Sequence, residues 1–131
     1  VQSSSLEAEL YAESAARDNA PVERIKRPPT ITTTSTARGL AVAEQLNARG
    51  ARMFGAWWCS HCADQKETLG KEAFASVTYV ECAADGANSQ RALCSKEDVA
   101  GYPSWQIDGK LYPGEKSIAE LEEILAALKG A

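Results

Sequence analysis

Cys59 and Cys62 stand three residues apart in Trp57-Trp58-Cys59-Ser60-His61-Cys62. Two thiols at that spacing on the first turn of a helix can close a small, strained and therefore readily exchanged disulfide ring. The helix N-terminus stabilises a thiolate at the first of them, which makes Cys59 the attacking sulfur and Cys62 the one that resolves. His61 lies between the two thiols, where its imidazole can donate to the Cys59 thiolate and, when protonated, adds positive charge; Ser60 shares that position. Stabilising the reduced pair makes it a better oxidant, by about 30 mV for each 1.4 kcal/mol. The same cysteines can be half of a zinc site completed by Cys82 and Cys94 or by His61. His61 is too close in sequence to join them easily, and the Cys82 to Cys94 spacing is not a short zinc knuckle, so no metal is expected.

Cys82 and Cys94 close a loop of about a dozen residues if they are bonded. The expected role is a structural bridge, with a second redox pair that relays electrons and two free thiols as the alternatives. A structural bridge requires an oxidising compartment. The chain of 131 residues is 44% apolar and 24% charged, the composition of one globular domain. Its net charge of −4, without a basic cluster, argues against a nucleic-acid partner. No apolar run approaches the roughly 20 residues that cross a bilayer. The sequence opens at Val1 with no leader pattern, so a processed chain or a piece of a longer precursor is expected.

These cysteines need elements to position them. Residues 1–29 read as an extension, in which Ser4 and Glu7 can box the start of a short helix and the Pro21 and Pro28-Pro29 stretches make a semi-extended linker. Residues 30–131 read as the domain. Thr30–Thr34 is β-branched and reads as a strand. Thr36 can cap a helix that carries Leu40, Val42, Ala43 and Leu46 and closes at Gly50. A buried strand is expected over Ala51–Trp57, a helix over Cys59–Phe74, a strand over Val77–Cys82 and a helix over Ser89–Ser95. Ser104–Ile107 and Lys110–Tyr112 flank Asp108-Gly109, a two-residue hairpin turn. Ser117 and Glu120 form a capping box ahead of Leu121, Ile124, Leu125 and Leu128, which share a helix face. The order β-α-β-α-β-α-β-β-α predicts an α/β fold, a central mixed sheet with helices on both faces.

A strand running into W-C-x-x-C and a helix, followed by Gly101-Tyr102-Pro103-Ser104, a strand and Asp108-Gly109, resembles the thioredoxin fold over about residues 36–131. The resemblance implies that Tyr102-Pro103 is a cis peptide in a loop that faces the cysteines and binds the extended backbone of a substrate. It also implies that Trp58 shields the disulfide and contacts incoming chains. Within that fold, Phe54–Cys62, Asp64-Gln65-Lys66-Glu67, Tyr79–Cys82 and the four-cysteine layout look most like the thioredoxin-like domain of vitamin K epoxide reductase fusion proteins, the lumen thiol oxidoreductases of cyanobacteria and chloroplasts. Such a domain forms disulfide bonds in substrate proteins with free thiols. It holds no cofactor itself and passes electrons to a quinone-reducing membrane domain on the same polypeptide, in a thylakoid lumen or a bacterial periplasm. Disulfide isomerase or thioredoxin-like reductase activity shares every motif, and a metal-binding or adaptor module is the non-enzymatic alternative. Met53 stands where thioredoxins have a buried aspartate, and Ser60-His61 replaces Gly-Pro, which disfavours reductase chemistry. With no carboxylate at position 53, the Cys62 proton must be exchanged with water, or with Lys66 through water.

Overall fold

The computed structural model describes residues 25–129. The short helix expected near Ser4 lies outside those residues. A four-stranded sheet in the order β2-β1-β3-β4 forms the centre, from β1 (Arg52–Gly55), β2 (Thr78–Glu81), β3 (Ser104–Ile107) and β4 (Lys110–Pro113). β1 runs parallel to β2 with Met53 opposite Tyr79, and antiparallel to β3 with Met53 opposite Trp105. Among the described residues five helices surround the sheet: α1 (Ala37–Ala48), α2 (Ser60–Leu69), α3 (Lys71–Phe74), α4 (Arg91–Lys96) and α5 (Ile118–Lys129). This is a thioredoxin-like α/β arrangement, a mixed sheet flanked by helices.

Pleating divides the core in two. Met53, Trp105 and Ile107 face Val42 and Leu46 of α1, Leu69 of α2, and Leu121 and Leu125 of α5. Phe54 and Val80 face the opposite way, against Cys82 and Cys94. The Cys82 and Cys94 sulfurs are bonded, with their Cα atoms 5.9 Å apart, so the bridge pins α4 beneath the second face. Replacing both cysteines with alanine is expected to cost about 3 kcal/mol of stability, the closure entropy of a loop this short. Chemical denaturation would read that cost, and an unchanged midpoint would show that packing alone holds α4.

Local signals account for the helix starts. Thr36 Oγ1 accepts from the Gly39 N–H at 3.0 Å. Ser117 and Glu120 exchange hydrogen bonds at 2.9 and 3.1 Å. The hairpin turns through Asp108 and Gly109, both at positive φ.

Two expectations are corrected. Thr30–Thr34 is not a strand. Its polar groups bind the junction of α2 and α3 instead: Thr32 N and Oγ1 donate to the Glu67 carboxylate at 2.6 Å each, and Lys71 N donates to Thr33 O at 3.0 Å. β-branching without an alternating apolar face gives such a run no sheet to join. The helix expected over Cys59–Phe74 is two helices, because Gly70 adopts φ 87° and ψ 160° between them. Upstream, Lys26 already pairs in parallel with Gly86, through Lys26 N to Asp85 O at 3.0 Å and Ala87 N to Lys26 O at 2.7 Å.

Candidate active site

β1 ends at Gly55, and the chain turns through Ala56, Trp57 and Trp58 before α2 begins at Ser60. That turn makes Cys59 the N-cap of α2, and its sulfur accepts from the Cys62 N–H at 3.2 Å. A sulfur in this position meets the unpaired N–H groups and the positive end of the helix. Cys59 is 9% exposed and Cys62 1% exposed; both are free thiols. Burial, followed by the hydrogen bond with Cys59, pushes the Cys62 thiol up to about 12. The two sulfurs therefore differ in reach as well as in environment.

The Tyr102–Pro103 peptide is cis, and the Cys59 thiol donates to the Tyr102 carbonyl at 3.7 Å. The loop before β3 thus lies against the cysteine turn. Trp58, 59% exposed, stacks edge-on against Tyr102 with ring centroids 6.0 Å apart. An open hollow of about 520 Å³ between them is lined by Trp58, Cys59, Ser60, His61, Gly101 and Tyr102. A second hollow of about 550 Å³ continues past His61, Tyr102 and Pro103 to Glu115 and Glu120. An extended chain laid across Cys59 would touch both hollows and the backbone around Pro103.

Ser60 is exposed at the start of α2. The exposed His61 places Nδ1 3.1 Å from Glu115 Oε1, so a carboxylate orients its ring. His61, Asp64 and Glu115 each bring a donor atom within 4.8 Å of the others, at the surface. Cys82 and Cys94, being bonded to each other, are not available to complete a zinc site with Cys59 and Cys62.

The remaining tryptophans brace the site from behind. Trp57 donates through Nε1 to Asp85 at 2.8 Å, and through its backbone N–H to Glu81 Oε2 at 3.1 Å. Trp105 is enclosed and donates to Gln65 Oε1 at 3.0 Å, an oxygen that also accepts from Lys116 N at 2.7 Å. Gln65 thereby ties α2 to β3 and to the entry of α5.

Sequence reasoning named Lys66 as a proton partner of Cys62 through water but missed the half-buried Tyr79 and the buried Glu81 that surround it. Lys66 and Glu81 are 5% and 2% exposed, and Tyr79 lies between them. Lys66 follows Cys62 by four residues on α2, which puts both on one face. The signal for the rest was present: Glu81 is a lone charge in the otherwise apolar and aromatic Tyr79-Val80-Glu81-Cys82.

No family model matches the chain. Over 97 residues it is 41% identical to the Thiol-disulfide oxidoreductase LTO1 of Arabidopsis thaliana, a stretch covering 72% of this chain and 26% of that protein. Over 87 residues it is 34% identical to the Protein disulfide isomerase-like 2-2 of Oryza sativa subsp. japonica, covering 59% of this chain and 23% of that protein. The chain thus spans about a quarter of the length of the curated relatives it matches. Together with the sheet order and the cysteine turn, these similarities support a thioredoxin-like fold and a thiol-disulfide oxidoreductase.

Proposed function

We propose that this domain is a protein thiol-disulfide oxidoreductase that oxidises the thiols of substrate proteins. The observation that carries the reading is the placement of Cys59 at the N-cap of α2, facing the carbonyl of Tyr102, with Cys62 enclosed behind it. A substrate thiolate attacks Cys59, and the Cys59–Cys62 bond breaks as a mixed disulfide forms. A second substrate thiolate then releases the substrate as a disulfide and leaves the pair reduced. Trp58, Tyr102 and Pro103 hold the incoming chain, and Ser60 and His61 tune the pair. The Cys82–Cys94 bridge supports work in an oxidising compartment, for which a thylakoid lumen or a bacterial periplasm is our assignment.

The electrons pass on to a quinone-reducing membrane domain of the vitamin K epoxide reductase type, which supplies the only cofactor in the scheme. That partner is inferred from the likeness of this chain to vitamin K epoxide reductase fusion proteins. No helix among the described residues is long and apolar enough to cross a membrane.

The redox potential of the Cys59–Cys62 pair tests the direction of transfer. Equilibration with glutathione is expected to give a value above about −200 mV, in the range of oxidants and isomerases. A value near −270 mV would identify a reductase instead. Replacing His61 with leucine is expected to lower the potential by roughly 30 mV for each 1.4 kcal/mol of thiolate stabilisation lost. An unchanged potential in that variant would leave the tuning to the helix end alone.

A further inference from the structure

Beneath Cys62 lies a set of groups that disulfide exchange at Cys59 does not use. A methyl group placed on Gly55 would meet Tyr79 Cε1 at 2.9 Å, Cys62 Sγ at 3.0 Å and Tyr79 Oη at 3.3 Å, so sulfur and phenol crowd the same point of β1. The Lys66 ammonium sits 3.8 Å from the centre of the Tyr79 ring and 5.3 Å from that of Phe74. Tyr79 donates to Glu81 Oε1 at 3.0 Å. Both oxygens of Glu81 are engaged, since Oε2 accepts from Trp57 N and Ala83 N at 3.1 Å each. An enclosed lysine with this surround has a cost in desolvation that a purely structural role would not require.

We infer that Lys66, seated on the Tyr79 ring and balanced by Glu81, is the group that exchanges a proton with Cys62 when the active-site disulfide opens and closes. The inference rests on the oxidoreductase reading above. When a substrate thiolate bonds to Cys59 Sγ, the Cys59–Cys62 bond breaks and its electron pair leaves on Cys62. The Lys66 ammonium gives a proton to that thiolate and becomes a neutral amine, which solvent later reprotonates. On closing, the Cys62 thiol returns a proton to the amine as its sulfur attacks. Burial disfavours a Cys62 thiolate, so the step needs a donor within the fold. Burial lowers the Lys66 pKa, and the charges of Cys62, Glu81 and Cys59 oppose the shift. The titratable groups facing Lys66 are Cys59 and Cys62, at the N-cap and in the first turn of its own helix, and Tyr79 and Glu81 on β2; Phe74 of α3 supplies the second ring. Glu81 is the poorer proton acceptor because three N–H and O–H donors already occupy its carboxylate.

The test is the rate at which dithiothreitol opens the Cys59–Cys62 disulfide of the whole chain, divided by the thiolate fraction of the reagent, as a function of pH. In the wild type this corrected rate is expected to fall as pH rises and Lys66 loses its proton. Lys66→Met is expected to be about a hundredfold slower at pH 7 and to lack the falling limb. Glu81→Gln removes a charge that holds the ammonium protonated, so the limb should move to lower pH. Lys66→Arg keeps the positive charge but cannot release a proton, and should be as slow as Lys66→Met. Wild-type rates in Lys66→Arg would show that only the field of the cation matters, and would overturn the inference. An unchanged profile in Lys66→Met would overturn it too, as would a limb lost in Glu81→Gln but kept in Lys66→Met. Should Lys66→Met fail to fold, the Lys66→Arg and Glu81→Gln profiles decide. A wild type that does not react with dithiothreitol at all would instead remove the oxidoreductase reading.

Discussion

Exchange of Cys59 for serine is expected to lower thiol-disulfide exchange by about a thousandfold or more, the scale seen when an enzyme loses its nucleophile. Exchange of Cys62 for serine is expected instead to trap substrate on Cys59 as a stable mixed disulfide. The asymmetry follows from position. Cys59 lies at the mouth of the hollow beside Trp58, and its sulfur takes the Cys62 N–H at the positive end of α2. Cys62 is 1% exposed, and its thiol is pushed up to about 12, chiefly by burial. A bulky substrate can reach only the first sulfur. The second can attack only what is already bonded to its neighbour. Non-reducing gel electrophoresis after incubation with an unfolded, disulfide-bearing protein reads both outcomes: the Cys59 thiolate attacks a client disulfide, one client thiolate leaves, and without Cys62 nothing resolves the bond that remains. Adducts on Cys59→Ser and none on Cys62→Ser would reverse the roles.

The second large effect is one of stability. Gly70→Ala is expected to destabilise the domain by about 4 kcal/mol, combining a backbone region nearly closed to residues with a Cβ with overpacking against a neighbouring chain segment. At φ 87° and ψ 160°, a Cβ on residue 70 would lie 2.5 Å from Ser35 Oγ, 2.6 Å from Ser35 N and 2.7 Å from Ser35 Cα. Two of those atoms are backbone and cannot rotate away. Ser35 itself is fixed, because its N–H donates to Glu72 at 2.8 Å and its hydroxyl accepts from Ala73 N at 2.8 Å. A melting temperature lower by roughly 20 °C is expected for a domain of this size. A shift of less than a few degrees would mean that the segment before α1 moves aside freely.

Why some elements were legible in the sequence and others were not comes down to the range of the interactions that decide them. The hairpin at Asp108-Gly109 and the start of α5 at Ser117 depend on residues within a turn of one another, so a local pattern determines them. The cysteine turn was legible for the same reason: Cys59 caps a helix whose first donors follow it directly. Thr30–Thr34 was misread because its partners, Glu67 and Lys71, are more than thirty residues away. Nothing in a threonine run says whether a sheet or a carboxylate will meet it. The break at Gly70 was passed over because the apolar spacing across it, from Leu69 to Ala73 and Phe74, continues the pattern of a single helix. Lys66 was in view as a partner of Cys62, but its burial against Tyr79 and Glu81 was hidden deepest. The three residues come from a helix and a strand, and the sequence places a lysine on a helix without saying which side of it is dry.

Because the threonine segment turns away to hold α2 and α3, no described strand lies outside β2, and the sheet ends at Thr78–Glu81 on one side and at β4 on the other. Lateral association between molecules begins at such borders, where free N–H and C=O groups can template another chain. Here each border is only four residues long, about 13 Å. At the far end of β2, Gln90 N already takes the Glu81 carbonyl at 2.7 Å. β4 carries Lys110 at one end and, at the other, Pro113, which has no N–H to offer. Both borders are therefore poor seeds for intermolecular sheets. For a protein proposed to bond covalently, if briefly, to chains that have not yet folded, this resistance keeps a captured client from nucleating a fibre on its captor.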